Sequence, residues 1–156
     1  MKKAVQILCL LLAAALLTAC GAQESGKETG GEILPLTEKV KNAIPDMDEL
    51  AELTAEDLND LLGVEAEECR EFVFLQSDGT DGREVLAIRA RDENAAEKIS
   101  GMAENYLERR RNETRNYIPE LYQLLGGMKV QSRNLTVVLV VGQNAAEETD
   151  AILAGE

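Results

Sequence analysis

The sequence predicts a small single domain of the α+β class: two β-hairpins form a mainly antiparallel sheet, packed by one long helix and short flanking helices. Three observations lead there. Two pairs of short β-rich apolar runs, Cys69 to Gln76 with Glu84 to Arg91 and Met128 to Ser132 with Leu135 to Val141, each flank a connection of turn-forming residues. One long stretch, Glu93 to about Asn116, repeats its apolar residues every three and four positions, as a helix does. The roughly 120 residues from Pro35 onward suffice for one core that buries about two-thirds of the chain's surface.

Ahead of this domain lies a segment of another kind. Met1-Lys2-Lys3 is followed by a run from Ala4 to Leu17 that is apolar apart from Gln6. Positive charge before such a run is the pattern of a secretory signal, and the run falls short of the roughly 20 residues a membrane-spanning helix needs. It closes on Leu17-Thr18-Ala19-Cys20, which resembles the bacterial lipobox: a long aliphatic residue, two small residues and a cysteine. The resemblance implies a diacylglyceryl group on the Cys20 sulfur and cleavage between Ala19 and Cys20. Residues 1–19 are then a lipoprotein signal peptide and Cys20 the mature N-terminus. Two acyl chains anchor stably where one is marginal, at about 0.8 kcal/mol per buried methylene. Gly21 to Glu32 is polar, Gly-rich and free of large apolar side chains. Residues 20–34 therefore read as the lipidated cysteine and a flexible tether, long enough to hold the domain on the order of 20 Å from the membrane surface.

Within the domain, residues 35–156, the elements follow in order. Leu36 to Ala43 is a short helix stopped by Pro45. Thr54 caps a second one reaching Leu62, with Glu56 and Asp57 at its positive end, Leu58, Leu61 and Leu62 as its apolar stripe, and Gly63 closing it. The first hairpin turns through Ser77-Asp78-Gly79-Thr80-Asp81-Gly82, where the spacing lacks the alternating ligands and bidentate glutamate of a calcium loop. Asp92 caps the long helix, whose stripe is Ala96, Ile99, Met102, Ala103, Tyr106 and Leu107. Pro119 opens a further short helix through Leu125, ended by Gly126 and Gly127. The second hairpin bends at Arg133-Asn134, and its continuous Thr136-Val137-Val138-Leu139-Val140-Val141 is expected to be a central strand buried on both faces. Ala145 to Leu153 closes the domain as an amphipathic helix.

Composition narrows the chemistry. Of 156 residues, 29 are acidic and 16 basic, for a net charge of -13, and none is histidine or tryptophan. No Ser-His-Asp or Cys-His pair can form, and neither can a His-ligated metal. The three cysteines, Cys9, Cys20 and Cys69, fit no zinc or CxxC spacing. As part of a strand, Cys69 reads as a small buried hydrophobe without an activating base. So acidic a chain lacks the cationic surface that nucleic acid requires. No cofactor motif is present: there is neither a Gly-rich phosphate loop nor a G-x-S-x-G elbow.

One inconsistency stands out on the long helix. Continuing its rotation puts Arg110 near the centre of the apolar stripe. The reading adopted for it is a residue at the rim of the core, stem packed and guanidinium in water; the alternative is a semi-buried arginine held by a carboxylate or carbonyl. Arg109, Arg110, Arg111 and Arg115 form the one dense basic cluster of an acidic chain, and with Tyr117 they are the candidate surface for an anionic ligand or an acidic partner. Local helix chemistry, with Glu113 three and four residues from Arg110 and Arg109, accounts for the same cluster structurally.

The long helix ending in Tyr117-Ile118-Pro119, then Leu121, Leu124 and Leu125, then the hairpin on Leu135 to Val141, resembles the uncharacterised lipoproteins of clostridial and related Gram-positive bacteria that carry a domain of unknown function. The likeness spans about Pro35 to Leu153 and departs from the family pattern at Arg110 and Thr114. It implies an architecture and no activity. The expectation that follows is a membrane-anchored lipoprotein on the extracytoplasmic face of the cell membrane, carrying a non-catalytic interaction or ligand-binding domain. Its partners would be the membrane, through the lipid on Cys20, and an envelope protein or anionic ligand. The competing expectation is a histidine-free envelope hydrolase using paired carboxylates, since 29 acidic residues leave many pairings open.

Overall fold

The computed structural model describes residues 34–156 apart from Thr80. The expected signal peptide and its cleavage point, the expected lipid site Cys20 and nearly all of the expected tether lie outside the described residues. Among the described residues five strands form one sheet in the order β1-β2-β3-β5-β4, with every neighbouring pair antiparallel. The strands are β1 (Ala51–Glu52), β2 (Cys69–Gln76), β3 (Glu84–Ala90), β4 (Gln131–Arg133) and β5 (Thr136–Val141). The helices are α1 (Leu36–Ala43), α2 (Ala55–Leu62), α3 (Glu93–Thr114), α4 (Pro119–Gly127) and α5 (Ala145–Leu153). Two 3-10 turns, Met47–Glu49 and Ala66–Glu68, complete the order. The α+β class, the two hairpins and, among the described residues, one long helix with shorter ones are as the sequence predicts.

The sheet is sandwiched. On one face Phe74, Leu86, Ile88, Val137, Leu139 and Val141 meet α2, α3 and α4 through Leu58, Ile99, Ala103, Tyr106, Leu107, Leu121 and Leu125. On the other face Val73, Leu75, Val85, Ala87, Val138 and Val140 meet α1 and α5 through Leu36, Val40, Ile44, Ile152 and Leu153. Strand alternation sends odd and even residues to opposite faces, so β5, covered on both, has all six residues buried. That is the physical meaning of its continuous, mostly β-branched run.

Helix ends follow local chemistry. Thr54 and Asp57 form a reciprocal capping box at α2, and Gly63 ends it in the left-handed conformation at φ 77°. Asp92 accepts the Ala95 N–H to start α3. Two boundaries differ from expectation. The strand expected over Met128 to Ser132 is confined to Gln131–Arg133: Val130 packs against the α3 core and Met128 against both cores, ahead of the ladder. The turn falls on Asn134-Leu135, with Asn134 at φ 48°, a conformation asparagine tolerates. The edge strand β1 was not foreseen: two residues are too few to show an alternation.

The sheet has two distinct ends. At one, Leu34 O accepts from Arg89 Nη2 at 3.2 Å and the Leu36 N–H donates to Glu71 Oε1 at 2.6 Å, so the described chain begins there. Glu156 lies at this same end, its Oε1 gripped by Lys39 at 2.6 Å and Arg89 at 2.7 Å and its Oε2 accepting from Thr136 Oγ1 at 2.7 Å. At the other end β2 finishes at Gln76, β3 begins at Glu84 and β5 finishes at Val141. Among the described residues no helix is long and apolar enough to cross a membrane.

Candidate functional site

The end of the sheet away from Leu34 carries a polar concavity. Gly82 shapes its approach: it sits at φ 68°, and a Cβ there would overlap the Leu121 side chain, so glycine lets α4 close over the strand ends. Leu124 of α4 then stands in the wall of a cleft of about 550 Å³, whose polar lining is Asp46, Asp81, Arg83, Gln143, Asn144 and Glu148. Asp46 arrives because α1 stops at Ile44-Pro45. Gln143 and Asn144 lie between the end of β5 and the first turn of α5.

Arg83 is the cleft's single cation. Its guanidinium meets Asp46 in a two-pronged pair, both contacts 2.5 Å, and its backbone N–H donates to Asp81 Oδ1 at 3.3 Å. The Arg83 hydrogen bond holds the Asp46 carboxyl below the usual carboxylate range. Asp81 is lowered too, by the Ser77 hydroxyl and the Arg83 N–H. Glu148 moves the other way: burial raises it, Arg83 opposes, and the charges of Asp46 and Glu147 add to the rise. With three carboxylates against one guanidinium already committed, the cleft presents acceptors in excess and suits a ligand rich in hydroxyl or amine donors.

At the same end, on the α3 face, lies a second polar group that sequence reasoning had not singled out. Glu84 is 0% exposed. Its Oε2 accepts from Gln76 Nε2 at 3.1 Å, from the Tyr106 hydroxyl at 2.9 Å and from Arg110 Nη1, while Oε1 is buried without a partner. Arg110, 14% exposed, is thus ion-paired inside the protein, and its guanidinium also lies 5.9 Å from the Tyr106 ring centre. This corrects the rim reading. The stripe position forced Arg110 inward, and the alternation of β3, which points Glu84 the same way as Leu86 and Ile88, supplied the counter-charge. Those two facts, taken together, were the available signal.

The other members of the basic cluster disperse. Arg109 donates to the Leu61 carbonyl and stacks 5.5 Å from the Tyr106 ring centre. Arg111 caps the end of α4 through Leu125 O at 2.9 Å and Met128 O at 2.6 Å. Glu113 reaches Arg109 at 4.0 Å, while Arg110 turns to Glu84. Arg115 is exposed, and Tyr117, 86% exposed, projects beyond α3. Cys69 is half-buried at the start of β2 and not buried as expected, and its thiol is pushed up to about 11 by burial and by the Glu68 charge. Among the described residues no three His, Cys, Asp or Glu side chains are grouped to hold a metal ion.

A family model for a domain of unknown function, DUF4358, matches residues 42–142. The chain belongs to that family. The DUF4358 match takes in the whole sheet, α3 and α4, with Asp46, Arg83, Glu84 and Arg110. It stops before Gln143, Asn144 and Glu148, so the α5 wall of the cleft lies beyond the matched span. No curated protein matches the chain, and no solved structure matches it.

Proposed function

We propose that the chain is a lipid-anchored protein of the extracytoplasmic face of the cell membrane, as in the Gram-positive lipoproteins its sequence resembles, and that its DUF4358 domain is a non-catalytic binding module for an envelope component. The binding reading rests on one observation: the described chain starts at Leu34 at one end of the sheet, and the polar cleft opens at the other. A domain tethered at the first end offers the second to its surroundings. The engagement of Arg109, Arg110 and Arg111 in internal contacts favours this cleft over the basic cluster as the binding face. Anchoring rests on the lipobox at Cys20. Metabolic labelling with a palmitate analogue tests it: the chain takes up label and Cys20→Ala does not. Label retained by Cys20→Ala overturns the anchor.

One observation favours the hydrolase reading: Glu148 is raised while Asp46 and Asp81 are lowered, the split an acid–base pair needs. Both lowered groups are already engaged, Asp46 with Arg83 and Asp81 with Ser77 and the Arg83 N–H. That leaves no free carboxylate base in the cleft. Release of reducing ends from cell-wall glycan by the wild type, abolished in Glu148→Gln, would reverse this preference.

A further inference from the structure

The α3 face holds a charge pair that neither the anchor nor the cleft uses. Glu84 sits at the first position of β3 without solvent contact, and three donors converge on one of its oxygens while the other, Oε1, has none. The pairing is asymmetric in reach. Glu84 is fixed to the sheet, whereas Arg110 has a long side chain on a helix whose neighbouring residues 109 and 112 are exposed. A short swing takes its guanidinium to water.

We infer that Glu84 is a proton-operated latch on Arg110: ionised, it holds the guanidinium inside against the sheet, and protonated, it lets the guanidinium swing to the surface of α3. A neutral carboxyl keeps its Tyr106 and Gln76 contacts at little cost in an apolar site. An arginine without a counter-charge cannot stay buried there. Release leaves the fold intact and adds a free cation to the last turns of α3, where Arg109 and Arg115 are already exposed. The titratable groups that face Glu84 are Tyr106 and Arg110, both from α3; β2 contributes only the neutral Gln76, and the surrounding core from β5 and α4 is apolar. Burial is the largest influence on the Glu84 carboxyl and raises it, against the pull of Arg110, Tyr106 and Gln76. The fully protonated state is therefore reached at a milder pH than an exposed carboxylate would need.

The full-length chain in detergent micelles supplies the test, by NMR titration of the Glu84 carboxyl carbon and of the arginine guanidinium protons. Arg111 is the internal control, since the carbonyls that hold it do not titrate. The latch predicts that the protected Arg110 guanidinium signals are lost over the same pH range in which the Glu84 carbon shifts, while those of Arg111 persist. In Glu84→Gln, a neutral mimic of the protonated form, the Arg110 signals are already lost at neutral pH. The inference is overturned if Arg110 stays protected after Glu84 has titrated. It is equally overturned if Arg110 remains protected in Glu84→Gln, or if Arg110 and Arg111 lose protection together. Should the variant fail to fold, the wild-type titration decides alone.

Discussion

Gly82 and Arg110 show how single side chains govern the functional end of the domain. At Gly82 a methyl group would meet Leu121 and force a left-handed conformation on a residue with a Cβ. Overpacking of this kind typically costs about 1–3 kcal/mol. Gly82→Ala is therefore expected to lower the urea midpoint by an equivalent amount with the m-value unchanged. At Arg110 the stake is the abandoned partner. Arg110→Ala leaves Glu84 buried without its counter-charge, a loss of about 3 kcal/mol at neutral pH. Because Glu84 takes up a proton more readily than an ordinary carboxylate, the penalty shrinks as pH falls. Urea denaturation of wild type and variant at neutral and mildly acidic pH reads the difference.

Elements were legible where local chemistry and burial agree. Thr54 with Asp57, Gly63, Asp92 and Pro119 mark their helix ends in the sequence and in the fold alike. The cap at α2 predicts its own test: Thr54→Ala removes the acceptor of the Asp57 N–H and costs about 1 kcal/mol, measurable as a shift in thermal midpoint. The β5 run could be read as central because a strand covered on both faces is the place in a sheet for five apolar residues in succession, Val137 to Val141. What sequence could not supply is proximity across elements. Asp46 and Arg83 are 37 residues apart, and only the stop of α1 at Pro45 brings them together. Glu84 and Arg110 are 26 apart, and each taken alone is compatible with a solvated surface. The cleft is an assembly of loops from α1, β3, β5 and α5, and no one segment of the sequence carries its signature.

At the scale of the whole molecule, charge and tether define the account. Loss of residues 1–19 would remove Lys2 and Lys3 and no acid, taking the net charge from -13 to -15. Such a domain would be repelled by an anionic membrane surface within about a Debye length, near 10 Å at 0.1 M salt, which suits the proposed module on a tether. The end of the sheet where Leu34 lies is closed by Glu156. Burial alone would raise this carboxyl, but hydrogen bonds from Arg89, Lys39 and Thr136 outweigh it and hold it at about 2 against an ordinary 4.5. A carboxyl lowered on folding stabilises fully above its unfolded value and loses that contribution as pH falls through the folded one. Glu156→Gln is accordingly expected to cost on the order of 2–3 kcal/mol at pH 7 and to flatten the fall in stability between about pH 4.5 and 2. Urea midpoints measured across that range check it. Glu84, being raised, acts in the opposite sense: its ionised form costs stability, and acid relieves that cost.

The central claim is that the cleft end of the domain is its binding face. Site-specific photo-cross-linking in intact cells tests it most directly, with the probe at Gln143 in the cleft or at Glu38 in the first turn of α1. The account predicts one envelope component captured repeatedly from Gln143, not from Glu38, and lost when Arg83→Ala removes the cleft's cation. Equal background from both positions, or capture indifferent to Arg83, would contradict it.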